Sequence, residues 1–570
     1  MFINYYEVKS SSTDAFTRMV IRALLIDEYS EIREIGHFEN LIHIVAHKNL
    51  NKWLFCITKM KKITEQDIDS ILASAVKLHA RIPVMISMSE YNESILLRQR
   101  ALMNEGIPLQ LWTIDFLIDR LNRYQNIIPN NFLPRPYQEQ AINRIIEAYD
   151  SGKNKALVVL ATGLGKTFVV ADTSYILNSK SKKRILVMAH TNPLVYQLEK
   201  SFWKFMTVED RSIIWNGFEA PKQWQLEQYE YVFACVNTVA EYIGKGNELP
   251  RFDVIIIDEC HHAGSSLYEC VFSHTYAGKD GGPFLIGITA TPWRPDEKDI
   301  EDIFGDMVVC VDMLEGLKKK YLAPIDYRMF TDNIDWEALS ELHDESFTPR
   351  QINKKFFIEE WDDSVVYEIQ NVWKKQNNPR AIVFCGTIDH ANILCNKLNA
   401  LGFCNAAAIF SNSNKDYSID KYEKNRILSE FDDGRINIIC TVDLFNEGLD
   451  VPDVNIIVFQ RVTHSRRIFI QQLGRGLRTS STKEKVIVLD FVSDIRRFAA
   501  GLELKQGLAK SDGPTRISID SKVSFYRVNG EDPSTEQFLT TWLKDIGSIE
   551  MSGENTSVLT MPPEFPDSKR

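Results

Sequence analysis

The stretch Leu160-Ala161-Thr162-Gly163-Leu164-Gly165-Lys166-Thr167 constrains this chain more than any other. It follows the apolar run 156–160 and precedes a run, 168–177, with the composition of a helix. Strand, glycine-rich turn, Lys-Thr and helix in that order form a loop that cradles phosphate. Gly163 and Gly165 let the backbone curl until its N–H groups and the helix N-terminus face an anion. In such a loop Lys166 reaches the β- and γ-phosphates of a nucleotide, and the Thr167 hydroxyl ligates Mg²⁺. The strict pattern asks for glycine where Leu160 stands, so the spacing alone leaves a ligand-free turn open.

A chain of 570 residues exceeds one ordinary core, and roughly three or four domains are expected. Apolar and charged fractions of 44% and 25% fit a globular protein in water. The sequence has no uncharged apolar run of about 18 residues, and its first residues lack a basic stretch followed by an apolar one. We therefore expect no membrane association and a cytoplasmic location. The nine cysteines are scattered without a Cys-x-x-Cys pair, which points to reduced thiols rather than zinc or disulfides. The net charge of −11 does not mark a polyanion binder. It does not exclude one, because a local groove can be basic on an acidic protein.

From residue 131 the chain alternates β-branched runs with helical stretches, the signature of parallel α/β sheets. Strands are predicted at 185–189, 231–236, 254–258 and 284–289, and after a charged helical bridge (332–375) at 381–385, 406–410, 436–441, 454–460 and 485–490. In the first set, Val254-Ile255-Ile256-Ile257 ends in Asp258 and Glu259, at the strand edge where open α/β sheets bind ligands. Beside a phosphate loop, Asp258 suits a Mg²⁺ shell and Glu259 suits the orientation and deprotonation of water. The plain alternative is an acidic helix cap. Cys260, His261 and His262 have metal-ligand chemistry, but the sequence supplies no further ligands for a cluster. In the second set, Phe469-Ile470-Gln471-Gln472-Leu473-Gly474-Arg475-Gly476-Leu477-Arg478 puts two arginines on one helical face. A solvated basic helix end is the plain alternative to a pair that stabilises charge on a γ-phosphate.

Taken in order, these motifs resemble those of superfamily 2 helicases and translocases of the DExH kind. The branch that includes motor subunits of type I and type III restriction enzymes is the most similar. The resemblance covers about 132–490. It implies two tandem RecA-like parallel-sheet domains, preceded here by a small α/β domain. It also implies the following roles. Gln138 in Leu133-Pro134-Arg135-Pro136-Tyr137-Gln138 would contact adenine. Thr162, Gly163, Gly165, Lys166 and Thr167 would hold ATP, with Gly448 and Asp450 contributing from the second half. Thr167 and Asp258 would hold Mg²⁺, and Glu259 would be the base. Gln471, Arg475 and Arg478 would complete catalysis. His261, Thr289 and Thr291 would couple hydrolysis to movement. His190, Thr191, Thr238, Gly386, Thr387 and Thr441 would contact nucleic acid through its phosphates. DNA is favoured over RNA as the track, and a nuclease or effector subunit is a possible partner.

The order of helices and strands in 1–125 resembles the restriction-endonuclease-like fold of the Mrr-type branch. That branch uses a helix glutamate, a strand aspartate and a Glu/Gln-x-Lys on the next strand. Here Glu28 and Lys59 could serve, whereas His43 and Ile57 stand where acidic or glutamine side chains are needed. An inactive nuclease-like domain is expected. The domain boundaries read as 1–125, 126–330 (first RecA-like domain), 331–500 (second) and 501–570 (accessory segment with a helix at 535–546 and a polar tail). The function implied is an ATP-dependent DNA helicase or translocase in bacterial restriction, anti-phage defence or DNA repair. The alternatives are a nuclease-translocase that cuts its own track and a nucleic-acid-gated ATPase switch that signals to an effector.

Overall fold

A computed structural model describes residues 5–38, 41–58, 62–123, 133–206, 210–290, 300–330, 346–347, 362–410, 420–442, 454–460, 485–491, 516–520 and 559–560. Three sheets organise them, and each follows from how its strands distribute polar side chains.

The first sheet has five strands in sequential order: β1 (Ser30–Phe38), β2 (Leu41–Lys48), β3 (Asn51–Thr58), β4 (Ile82–Ser87) and β5 (Gln110–Thr113). The first three pair antiparallel, and β3, β4 and β5 pair parallel. The parallel crossovers need helices, supplied by Glu65–Lys77 and Glu93–Asn104. Thr64 and Asp67 form a reciprocal capping box at the start of the first of these, satisfying donors that a helix leaves open.

The next seven strands are β6 (Lys155–Leu160), β7 (Ile185–Ala189), β8 (Ser212–Trp215), β9 (Tyr231–Cys235), β10 (Val254–Asp258), β11 (Phe284–Thr289) and β12 (Met307–Val311). They form one sheet in the order β12-β6-β11-β10-β7-β9-β8, parallel throughout. Both faces are covered, so β7, β10 and β11 are buried at every position, as uninterrupted apolar strands require.

The second half begins with β13 (Ile325–Phe330) and the short β14 (Ser346–Phe347). It continues through β15 (Ala381–Phe384), β16 (Ala406–Phe410), β17 (Ile438–Val442), β18 (Ile456–Phe459), β19 (Val486–Phe491), β20 (Arg516–Asp520) and β21 (Leu559–Thr560). Seven of these make a parallel sheet in the order β16-β17-β15-β18-β19-β13-β20, and β14 pairs with β21 apart from it. The three-sheet α/β class expected from the sequence is therefore found. Two boundaries shift. β13 lies before residue 331 yet joins the second sheet, and β20 lies beyond 500 and joins it too. Tyr327, fully buried on β13, places its hydroxyl against Asp490 of β19, which fixes the strand there. The expected helix at 535–546 falls outside the described residues.

The N-terminal domain touches both motor halves. From the helix Thr13–Ile26, Arg18 pairs with Glu199 at 2.9 Å and with Glu219, both in the first half. From its sheet, Arg33 meets Asp432 (2.6 Å) and Lys52 meets Asp433 (2.6 Å) and Ser429 Oγ (2.8 Å), all on or just after the helix Lys421–Asp432 of the second half. Phe38 and His43 pack on Tyr422 of that helix. Lys52 and Asp433 are nearly buried (8% and 9% exposed), so removing one partner strands a charge. His47 keeps a second contact to Asp433 at 3.2 Å, so the cost of Lys52→Ala is placed at about 3 kcal/mol, the low end for a broken buried pair. Chemical denaturation of the two proteins measures it.

His47 bridges Asp433 and Glu31, and hydrogen bonds to those carboxylates raise its pKa to about 9. A raised histidine contributes stability that is full below its unfolded value near 6.5 and is lost as pH rises through 9. Melting temperature is accordingly expected to fall between pH 6.5 and 9 in the parent chain, and less so in His47→Gln.

Candidate active site

A parallel sheet brings the carboxyl ends of all its strands to one edge. The loops after β6, β7, β10 and β11 therefore meet, and most of the residues singled out in the first motor half lie there. β6 runs into the glycine turn, and Gly165 opens the helix Lys166–Lys180 in a left-handed conformation (φ +81°). Thr167 sits in the first turn of that helix. Lys166 Nζ lies 3.1 Å from Glu259 Oε1, so the phosphate loop and the acidic strand end are in direct contact. Glu259 itself has φ +47°. A left-handed glutamate costs about 1–3 kcal/mol of backbone strain, of the kind that collects at functional sites. The strain turns the chain back through Cys260–His262 and points the carboxylate at the loop.

Asp258, buried at the end of β10, has its pKa pushed up to about 7 by burial and then by the neighbouring Glu259, against Lys166. Its Oδ1 and the Thr162 hydroxyl are buried with no hydrogen-bond partner among the described residues. A buried carboxylate of this kind is held anionic by a cation. Asp258 and Thr167 thus fit Mg²⁺ by the chemistry of their oxygens.

His261 is fully buried, with Nδ1 2.8 Å from Thr289 Oγ1 and 3.4 Å from Glu259 Oε2. The expected coupling pair His261–Thr289 is therefore in contact. His190 follows β7 and packs at a tilt on His262 with ring centroids 4.1 Å apart. Thr191 precedes the helix Asn192–Phe202, and Thr238 lies in the first turn of Val236–Gly244.

Three placements depart from expectation. The amide of Gln138 is engaged at both ends: Oε1 accepts from Arg135 N–H (2.9 Å), and Nε2 donates to the Leu164 carbonyl (2.8 Å). As placed, it braces the phosphate loop and keeps one N–H and one lone pair of its amide for a further contact. Thr441 is wholly buried in β17 between β15 and β16, so its side chain is not presented at the surface, where a phosphate contact would need it. Thr387 accepts from His390 N–H as the cap of the helix Ile388–Ala400 (3.2 Å), which gives it a local structural task, with Gly386 beside it. Thr291, Gly448, Asp450, Gln471, Arg475 and Arg478 lie outside the described residues.

In the N-terminal domain, His43 pairs across to Cys56 on β3 and is buried, with Nδ1 3.2 Å from Tyr422 Oη of the second motor half. Burial, and then Lys77, lower its pKa to about 4. Ile57 is buried and Glu28 is exposed, while Lys59 falls outside the described residues. Among the described residues no three His, Cys, Asp or Glu side chains converge as a metal site. No described helix is long and apolar enough to cross a membrane.

Two domain families match this chain: "Type III restriction enzyme, res subunit" over residues 131–294 and "Helicase conserved C-terminal domain" over 363–480. They fall on the two seven-stranded parallel sheets, consistent with two RecA-like helicase domains. More particularly, residues 131–294 are similar to the res subunit of type III restriction enzymes. The chain is 28% identical over 373 residues to a putative mitochondrial ATP-dependent helicase, irc3, of Schizosaccharomyces pombe, covering 64% of this chain and 58% of that protein. It is 29% identical over 390 residues to the type I restriction enzyme EcoAI endonuclease subunit of Escherichia coli, covering 64% and 47%. The chain thus spans about half the length of these curated relatives. Among solved structures, the ATP-dependent type ISP restriction-modification enzyme LlaBIII bound to DNA superposes with a TM-score of 0.50 at 16% identity, covering 94% of this chain and 42% of that one. At that identity the likeness is one of fold.

A Cβ on Gly165 would lie 2.5 Å from Gln138 Nε2, at a backbone angle that L-residues avoid. Gly165→Ala is expected to break the Gln138–Leu164 bond and distort the loop at a cost of about 1–2 kcal/mol, weakening ATP binding roughly tenfold. Titration with a fluorescent ATP analogue measures the loss of binding, and chemical denaturation of the two proteins measures the cost to the fold.

Proposed function

We propose that this protein hydrolyses ATP to drive movement along DNA, as a translocase or helicase serving bacterial restriction, anti-phage defence or DNA repair. The observation that carries the reading is the contact of Lys166 with Glu259 at the edge where β6, β7, β10 and β11 end. In that arrangement Lys166 neutralises phosphate charge and binds the β- and γ-phosphates. Once drawn to phosphate, Lys166 leaves the Glu259 carboxylate to accept a proton from the attacking water. The His261 imidazole, held by Thr289, orients that carboxylate. Asp258 and Thr167 would hold Mg²⁺, which supplies charge neutralisation between the phosphates. Arg475 and Arg478, three apart on the second half, are proposed as the arginines that stabilise charge on the transferred group, with Gln471 beside them.

The DNA track is favoured by the relatives' own descriptions, a restriction endonuclease subunit and a restriction-modification enzyme bound to DNA. His190, Thr191 and Thr238 supply side chains at the same sheet edge for phosphate contacts, which carry no sequence information and so suit a moving protein. The N-terminal domain we read as a nuclease-like frame that docks rather than cuts, because Tyr422 engages the Nδ1 of His43 and Ile57 stands at an acidic or glutamine position. A nuclease or effector subunit remains the proposed partner.

Steady-state ATPase with Mg²⁺, with and without duplex DNA, single-stranded DNA or RNA at fixed salt, tests the reading. Stimulation by DNA is expected. Glu259→Gln should keep nucleotide affinity and lose about 10²–10⁴-fold in turnover, whereas Lys166→Ala should weaken binding itself. Undiminished hydrolysis by Glu259→Gln would remove Glu259 as the base.

A further inference from the structure

We propose that His262 is a positioning residue that transmits nucleic-acid engagement to the catalytic glutamate through a ladder of three imidazoles packed at a tilt. The ladder begins at the chemistry. Glu259 Oε2 and Thr289 Oγ1 both face His261 Nδ1, at 3.4 and 2.8 Å. The His261 ring lies against that of His262, with centroids 4.3 Å apart and planes inclined at 47°. The opposite neighbour of His262 is His190, at 4.1 Å and 43°. His190 closes β7, and its carbonyl accepts a weak bond from the Cys235 thiol at the end of β9 (3.7 Å). Three rings in van der Waals contact thus join the loop after β7, assigned to phosphate contacts, to the imidazole that orients Glu259.

The backbone makes this ladder stiff. His262 N–H donates to the Glu259 carbonyl (3.0 Å) and Ala263 N–H to the Cys260 carbonyl (2.9 Å), so the turn carrying His261 and His262 is tied to the strained residue 259. His261 has no room to move independently, being fully buried. Close-packed groups shift together rather than deform. A displacement of His190 when the adjacent loop grips a backbone therefore passes through His262 to His261 and alters where the Glu259 carboxylate points. Removing the middle ring leaves the two ends intact and takes away the ring contacts that His262 makes with each.

This inference rests on the ATPase reading above. The test measures kcat and KM for ATP of the full chain with and without a saturating duplex DNA, together with duplex affinity and melting temperature, for the parent, His262→Ala, His262→Asn and His262→Phe. In His262→Ala and His262→Asn the stimulated kcat is expected to fall about tenfold toward the unstimulated value, within the range of inter-site coupling. KM for ATP, duplex affinity and the unstimulated rate should stay within about twofold, below the size of a typical coupling. His262→Phe, which keeps a ring face, should restore stimulation. The truncated variants retaining full stimulation, or His262→Phe failing like His262→Ala in a folded protein, would overturn the ladder while leaving the motor intact. A parent chain that no polymer stimulates would overturn both.

Discussion

A sheet in which every strand runs the same way has all its carboxyl ends at one edge, and this single constraint assembles the site. β6, β7, β10 and β11 are separated in the chain by helices, yet their terminal residues become neighbours because each crossover returns to the same starting edge. Lys166 comes from the first strand–helix turn, His190 from the second, Glu259 and His261 from a third and Thr289 from a fourth. The apolar interior of those strands holds the register, and the register holds the chemistry. The backbone strain at Glu259 is tolerated because the strands on either side of β10 cannot yield.

Much of this was legible in the residues. The runs 185–189, 254–258, 284–289 and 406–410 are strands with those bounds, since buried parallel strands are continuous apolar stretches and nothing else nearby competes. The phosphate loop and the acidic strand end were equally plain, and both lie within residues 131–294, matched by the res-subunit family. What escaped was set by partners distant in sequence. β1 reads as polar because Arg33 and Glu34 face the helix Lys421–Asp432; Arg33 and Asp432 are 399 positions apart. β13 hides behind Asp326 and Arg328, which pair with each other on one side of the strand, Asp326 also meeting Lys485, while Tyr327 turns inward. The role of Gln138 escaped for another reason: its donor finds a backbone carbonyl, which no side-chain pattern advertises.

The histidines illustrate how a motif can be weighed too narrowly. Read as ligands, Cys260, His261 and His262 lack companions and explain nothing. Folded, His261 belongs to Thr289 and Glu259, and His262 fills the space between His261 and His190. Aromatic rings with polar tips serve as packing and as contacts at once, and sequence spacing alone separates these uses poorly.

The N-terminal sheet stands on two feet, Arg18 on the first motor half and the Lys52–Asp433 and His43–Tyr422 contacts on the second. An arch fixed at both ends turns two bodies joined in sequence into a closed loop of three. In a closed loop no joint can open alone: any change of angle between the motor halves has to appear as slip at one footing or as bending within the arch. The footing on the second half includes one proton-dependent fastening, His47 on Asp433, so its hold loosens as that imidazole loses its proton.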